Sequence, residues 1–113
     1  MADLKIHAEV FIVSRLLAKQ KETFTRDELR AEIEQRFCDL RPGVSTHISS
    51  HCVANARKSA AHVYCYLWRE EQGLYRVFDP DRDAPHPTRT DCPWMPEEGD
   101  IPVEFRYLVP MWQ

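Results

Sequence analysis

Hydrophobic spacing changes character once along this chain, and that change restricts the fold more than any other feature. In the first half, apolar residues recur at three- to four-residue steps. Ile6, Val10, Val13 and Leu17 predict a helix over roughly residues 3–19. Thr25 is an N-cap with Glu28 three residues on, a capping box, and Phe24 and Leu29 are spaced as a hydrophobic staple. Leu29, Ile33 and Phe37 then line one face of a second helix. After a break at Arg41-Pro42-Gly43, Val44, Ile48 and Cys52 follow at i+4 steps, predicting a third helix that ends near Asn55, before the Ala-rich Arg57–Ala61 connection. From Tyr64 the period is lost. Tyr64–Arg69 and Leu74–Phe78 are aromatic and β-branched runs separated by Glu70-Glu71-Gln72-Gly73, which reads as a hairpin with a four-residue loop. Three helices followed by a hairpin make an α+β domain in winged helix-turn-helix order.

Proline and charge divide the remainder. Seven of the eight prolines lie at or beyond Pro80, so residues 79–99 read as an irregular acidic arm that is not a packed element. A last helical turn is expected at Val103–Leu108, with Phe105 and Leu108 docking on the core, and Met111 and Trp112 as an apolar tail. The expected organisation is a winged domain over residues 1–80 and an acidic Pro-rich arm over 81–113. With 113 residues, 43% of them hydrophobic, the chain can bury a core as one domain. There is no apolar run long enough to span a membrane and no signal-peptide pattern. Cys38, Cys52, Cys65 and Cys92 are dispersed singly, which reads as reduced thiols in a cytoplasmic protein.

The net charge is −3, but acids and bases are unevenly placed. No carboxylate occurs from Leu40 to Arg69, a window that contains Arg41, Arg57, Lys58 and Arg69. An unconstrained solvated surface mixes both signs. On a helical wheel with Val44, Ile48 and Cys52 inward, His51 and Asn55 fall on or near the buried side, while Ser45, Thr46, Ser49, Ser50 and Val53 face out. Small hydroxyl-bearing side chains suit a helix that enters a DNA groove, and the flanking cations suit phosphates. The expected interface with double-stranded DNA is therefore Arg41, Ser45, Thr46, Ser49, Ser50, Arg57, Lys58 and Arg69. Glu70 and Glu71 at the hairpin tip oppose phosphate contact there. The acidic arm would shield the basic face until DNA displaces it.

The segments Phe24–Leu29, Arg41–Asn55 and Gly73–Phe78 resemble an uncharacterised prokaryotic family of winged helix-like domains that occur alone or beside restriction-type nuclease domains. The resemblance covers roughly residues 5–80, with a weaker likeness at Glu104–Leu108, and the long central run is its distinctive part. It implies a DNA-binding module in a defence or regulatory setting, and brings no ligand or catalytic residue. The sequence departs from the family at Arg69-Glu70-Glu71-Gln72, where a shorter, less acidic turn is expected.

Other chemistry finds little support. The cysteines lack the paired spacing of a zinc site, and His47 and His51, although at i, i+4, lack the glutamate of a zinc peptidase. Both histidines are read as packing or hydrogen-bonding groups, and Cys52 as a small core residue. Asp79–Asp83 begins like a calcium loop, but Ala84 and Thr90 stand where Gly and Glu are required. No lysine lies beyond Lys58 to complete a nuclease carboxylate pair, and phosphate-loop and nucleophile-elbow motifs are missing. Tyr64, Tyr66 and Trp68 alternate as one strand face covering the helices. The sequence thus points to a non-enzymatic protein without cofactor or metal, acting alone, as a homodimer or with a protein partner. The rival is a winged-helix interaction module docking through the aromatic hairpin and acidic arm. A small metal-dependent enzyme is a weaker third reading.

Overall fold

The computed structural model describes residues 4–38, 42–58, 62–89 and 92–109. It is an α+β domain with a three-stranded antiparallel sheet. Helix α1 spans Ile6–Leu17 and is buried nearly all round: His7, every residue from Ala8 to Ser14, and Leu17 are inaccessible. Its apolar stripe continues onto the neighbouring faces because α2, the third helix, the sheet and the last turn all pack on it. Ser14 tolerates this environment by donating its hydroxyl to the Phe11 carbonyl at 2.9 Å.

Strand β1 is only Phe24–Thr25 and runs directly into α2, Arg26–Phe37. The capping box is present in both directions: Glu28 N donates to Thr25 Oγ1 at 3.1 Å, and Thr25 N to Glu28 Oε1 at 2.9 Å. Phe24 and Leu29 are both buried, and Leu29, Ile33 and Phe37 form the inner face. Cys38 closes the helix in the left-handed conformation, φ 55°, donating its N–H to the Glu34 carbonyl.

The third helix begins as α3, Val44–Thr46, and continues as a wider π-helical turn, His47–His51. Val44, Ile48 and Cys52 are fully buried, as the wheel requires. The helix stops at His51, short of Asn55. Val53, expected to face out, is fully buried, because beyond Cys52 the chain leaves the helix and bridges to Leu67 in parallel.

Strands β2 (Leu67–Glu71) and β3 (Leu74–Val77) form the hairpin, and the sheet order is β1-β3-β2. The loop is tighter than expected. Glu71 pairs with Leu74 after a bulge at Glu70, leaving Gln72 and Gly73 as the turn, with Gly73 at φ +80°. Residues 64–66 are not part of the ladder: Tyr64 N donates to the His51 carbonyl, Cys65 N to Pro93 and Tyr66 N to Cys52. Cys65, Tyr66 and Leu67 are all buried, so alternation fails where this segment is covered on both sides. Tyr64 and Tyr66 stack at 5.1 Å beside α1, whereas Trp68 joins a second cluster with Ala54, Cys65, Phe78, Cys92 and Trp94.

The Pro-rich arm is packed, which corrects the expectation for residues 79–99. Among the described residues, its regular structure and that of the segment after it are limited to 3-10 turns at Pro87–Arg89, Glu98–Asp100 and Val103–Leu108. Nevertheless Arg89 is buried, Met95 packs on the main core and Trp94 on the second cluster; beyond residue 99, Ile101, Leu108 and Val109 enter the same core as Val10 and Ile33. Leu108 docks as expected, and Phe105 packs edge-on against Phe37 at 6.3 Å. Met111 and Trp112 lie outside the described residues. Among the described residues no helix is long and apolar enough to cross a membrane.

Candidate nucleic-acid interface

The candidate surface is built around the end of the third helix. At its start, Ile6 of α1 approaches so closely that a Cβ on Gly43 would stand 2.9 Å from the Ile6 methyl. His47 Nδ1 lies 2.9 Å from the Gly43 carbonyl, and Ser49 Oγ donates to the Ser45 carbonyl at 2.6 Å. Such side chains compete with the helical N–H groups for carbonyls. The backbone there widens, and Cys52 N reaches His47 five residues back at 2.9 Å. His47 and His51 meet edge-to-face at 4.7 Å.

A single residue of the arm closes the far end. Arg89, 2% exposed, donates to five backbone carbonyls. Nη2 reaches Ser50 at 2.6 Å and Arg57 at 3.4 Å, Nη1 reaches His51 at 3.2 Å and Tyr64 at 3.1 Å, and Nε reaches Ala56 at 2.6 Å. Ser50 and His51 carry carbonyls at the helix end, where a cation is favoured; Arg89 adds to the Val53 and Tyr64 N–H groups that also reach them. The planar five-donor guanidinium fits this arrangement, whereas an ammonium is a point charge.

Asn55 performs a second closure. Its amide donates to the Arg69 carbonyl and accepts from the Arg69 N–H, both at 2.9 Å, so one side chain continues the ladder along the free edge of β2. Arg69 is thereby held beside the segment that carries Arg57 and Lys58. All three are exposed. Lys58 N also donates to Thr88 Oγ1 at 2.9 Å, which anchors this segment to the arm. The Ser50 end of the helix joins the same neighbourhood through Arg89.

The predicted site residues therefore separate into groups. The backbones of Arg57 and Arg69 are each tied near the helix end, Arg57 through Arg89 and Arg69 through Asn55. Thr46 is exposed, while Ser45, Ser49 and Ser50 are half-buried, and the Ser49 hydrogen is spent on the Ser45 carbonyl. Arg41 lies outside the described residues.

The acidic groups of the hairpin and arm are engaged elsewhere. Arg76, on β3 and buried, binds Glu70 at 2.5 Å and both oxygens of Asp83 at 2.7 and 2.8 Å, and its guanidinium lies 5.4 Å from the Trp68 ring. The hydrogen bond from Arg76 holds the Asp83 carboxyl below the usual range, against its burial, and the Asp79 N–H reinforces this. Glu70 is thus partly neutralised rather than a bare charge at the tip. Asp100 sits between Lys5 and His7, 3.2 Å from each. Neither Asp83 nor Asp100 covers the cations, so the arm's screening role is not carried by these two carboxylates.

A second polar cluster surrounds His7. Its Nδ1 lies 3.1 Å from the Tyr66 hydroxyl, and its ring stacks on Tyr64 at 4.1 Å. Burial pushes the imidazole pKa down despite Asp100, so the ring is held toward neutrality. Among the described residues, no group of three or more His, Cys, Asp or Glu side chains is arranged to hold a metal ion.

Sequence reasoning missed Arg89, Arg76, His7 and the clasp made by Asn55. Arg89 carries no periodic or motif signal. Comparison with protein-family models, curated proteins and solved structures finds no match.

Proposed function

We propose that the chain is a winged-helix protein that binds double-stranded DNA, with the third helix facing the groove and Arg57, Lys58 and Arg69 on phosphates. The observation that carries this reading is that the exposed residues Arg57, Lys58 and Arg69 lie on segments whose backbones Arg89 and Asn55 tie to the end of the third helix. Support also comes from element order. The sequence α1-β1-α2-α3-β2-β3 with sheet order β1-β3-β2 suits a helix-turn-helix whose hairpin lies beside it as a wing. The pairing of Glu70 with Arg76 lessens the repulsion that the hairpin tip would otherwise exert.

The resemblance over residues 5–80 gives the reading its setting: a small transcriptional regulator, or the DNA-recognition component of a defence or restriction system. Val103 and Tyr107, 75% and 50% exposed, favour a secondary reading in which the domain docks on a protein through its last turn.

Duplex binding over a salt series tests the proposal. With four to six phosphates neutralised, log K falls against log salt with a slope of roughly −4 to −5. Arg57→Glu combined with Lys58→Glu flattens the slope by about two and weakens binding to all sequences alike. Binding that ignores both salt and this double substitution would favour the protein-docking reading.

A further inference from the structure

We propose that Cys65 and Cys92 form a reactive dithiol that hydroperoxides oxidise to an internal disulfide. The two residues are far apart in sequence but belong to adjoining segments: Cys65 N donates to the Pro93 carbonyl at 2.8 Å. Their side chains belong to one cluster with Ala54, Phe78 and Trp94, and Cys92 Sγ donates at 3.9 Å to the same Pro93 carbonyl that Cys65 N binds. Both are free thiols. A disulfide requires its two segments to run close together, which this backbone hydrogen bond provides.

Their surroundings assign different roles. Cys92 is half-buried and reachable, and Cys65 is buried. Cys65 beside it, then the positive charges of Arg89 and Lys58, hold the Cys92 pKa below that of an ordinary thiol, against its burial. The neighbouring Cys92 thiol, with burial, pushes Cys65 up. Cys92 is the attacking group and Cys65 the resolving one. Cys52, fully buried and also pushed up, is excluded from attack.

The chemistry balances with a hydroperoxide as the oxidant. With hydrogen peroxide, the Cys92 thiolate attacks one peroxide oxygen; an S–O bond forms, the O–O bond breaks, and hydroxide leaves and is protonated to water. Cys65 sulfur then attacks the sulfenic sulfur, losing its proton; the S–S bond forms, the S–O bond breaks, and a second water leaves. Two electrons pass from the thiols to the peroxide.

The test treats the folded protein with hydrogen peroxide, alkylates the remaining thiols and maps peptides by mass. The expected product is a Cys65–Cys92 linked peptide pair lacking two hydrogens, with exposed Cys38 recovered as the alkylated thiol. Cys65→Ser leaves a Cys92 sulfenic acid that dimedone traps. Cys92→Ser slows oxidation of Cys65 at least about tenfold. Recovery of both thiols while Cys38 is oxidised, or Cys92 linked only to Cys38 of a second molecule, overturns the proposal. The mapping on the unaltered chain stands even where a variant folds poorly.

Discussion

Helix α2 and the third helix pack on the same central helix α1 and reach that position by opposite means. In α2, the start is made by two hydrogen bonds between Thr25 and Glu28, the entry angle by Phe24 and Leu29, and the end by Cys38 bonding back to Glu34. Every partner lies within five residues. The third helix has no side-chain cap at its start, and its last carbonyls are held by Arg89, 38 and 39 residues away. A helix closed by its own sequence forms wherever that sequence goes. One closed by a distant cation takes its shape only after the rest of the domain has assembled.

The largest effect expected from this contrast is at Arg89. Arg89→Met removes a donor from five carbonyls, of which Ser50 and His51 keep a backbone N–H, and costs roughly 3–4 kcal/mol, read from urea unfolding. Arg89→Lys recovers less than half, because one ammonium does not span the set. A loss below about 1 kcal/mol in the Met variant would break the comparison.

Second in size is the buried ion pair that ties the hairpin to the arm. Asp83→Asn costs about 2–3 kcal/mol by removing the forked contact with Arg76. The folded pKa of Asp83 is depressed, so the pair's stabilisation is present above the unfolded carboxyl value of about 3.9 and is lost as pH falls through the folded one. The gap between the unfolding curves of the two proteins should therefore be constant near pH 6 and narrow as pH falls below about 4. Curves that stay parallel contradict the assignment.

Thr25→Ala sharpens the local side of the comparison. It removes one half of the capping box and costs about 1 kcal/mol, and its effect adds to that of Arg89→Met because the two sites share no partner. The smallest effect is expected at His7. Burial lowers its folded pKa, so the unfolded chain takes up the proton first. Stability is full above the ordinary imidazole value of about 6.5 and declines as pH falls below it. His51 shifts in the same direction, also through burial, and leaves a residual slope. His7→Gln should reduce the decline between pH 7.5 and pH 5.5 in denaturant titrations, and an unchanged decline would reassign it to other groups.

Much of the framework was legible because its signals repeat within a turn or alternate along a strand. Ile33 and Phe37 are buried at the spacing read from the chain, Gly73 turns the hairpin, and Leu108 docks from the last turn. The candidate surface was legible as a set of charges but not as an arrangement. Arg57, Lys58 and Arg69 stand out by the lack of neighbouring acids. Their segments are tied to the helix end by the Val53–Leu67 bridge, Asn55 and Arg89, contacts that join distant stretches of chain. The wheel also failed at Val53, because helical periodicity carries no mark of where a helix yields to a bridge with Leu67.

Sequence alone determined the α+β order, the ends of α2 and the apolar faces, since each depends on residues that remain neighbours in an unfolded chain. Tertiary structure decided that an arm rich in proline and acid is packed, that Arg89 rather than a local cap ends the third helix, and that Glu70 and Asp83 turn to Arg76. Those outcomes depend on buried carbonyls and charges finding partners across the fold, and which ones meet is a matter of distance in space, which no spacing along the chain records.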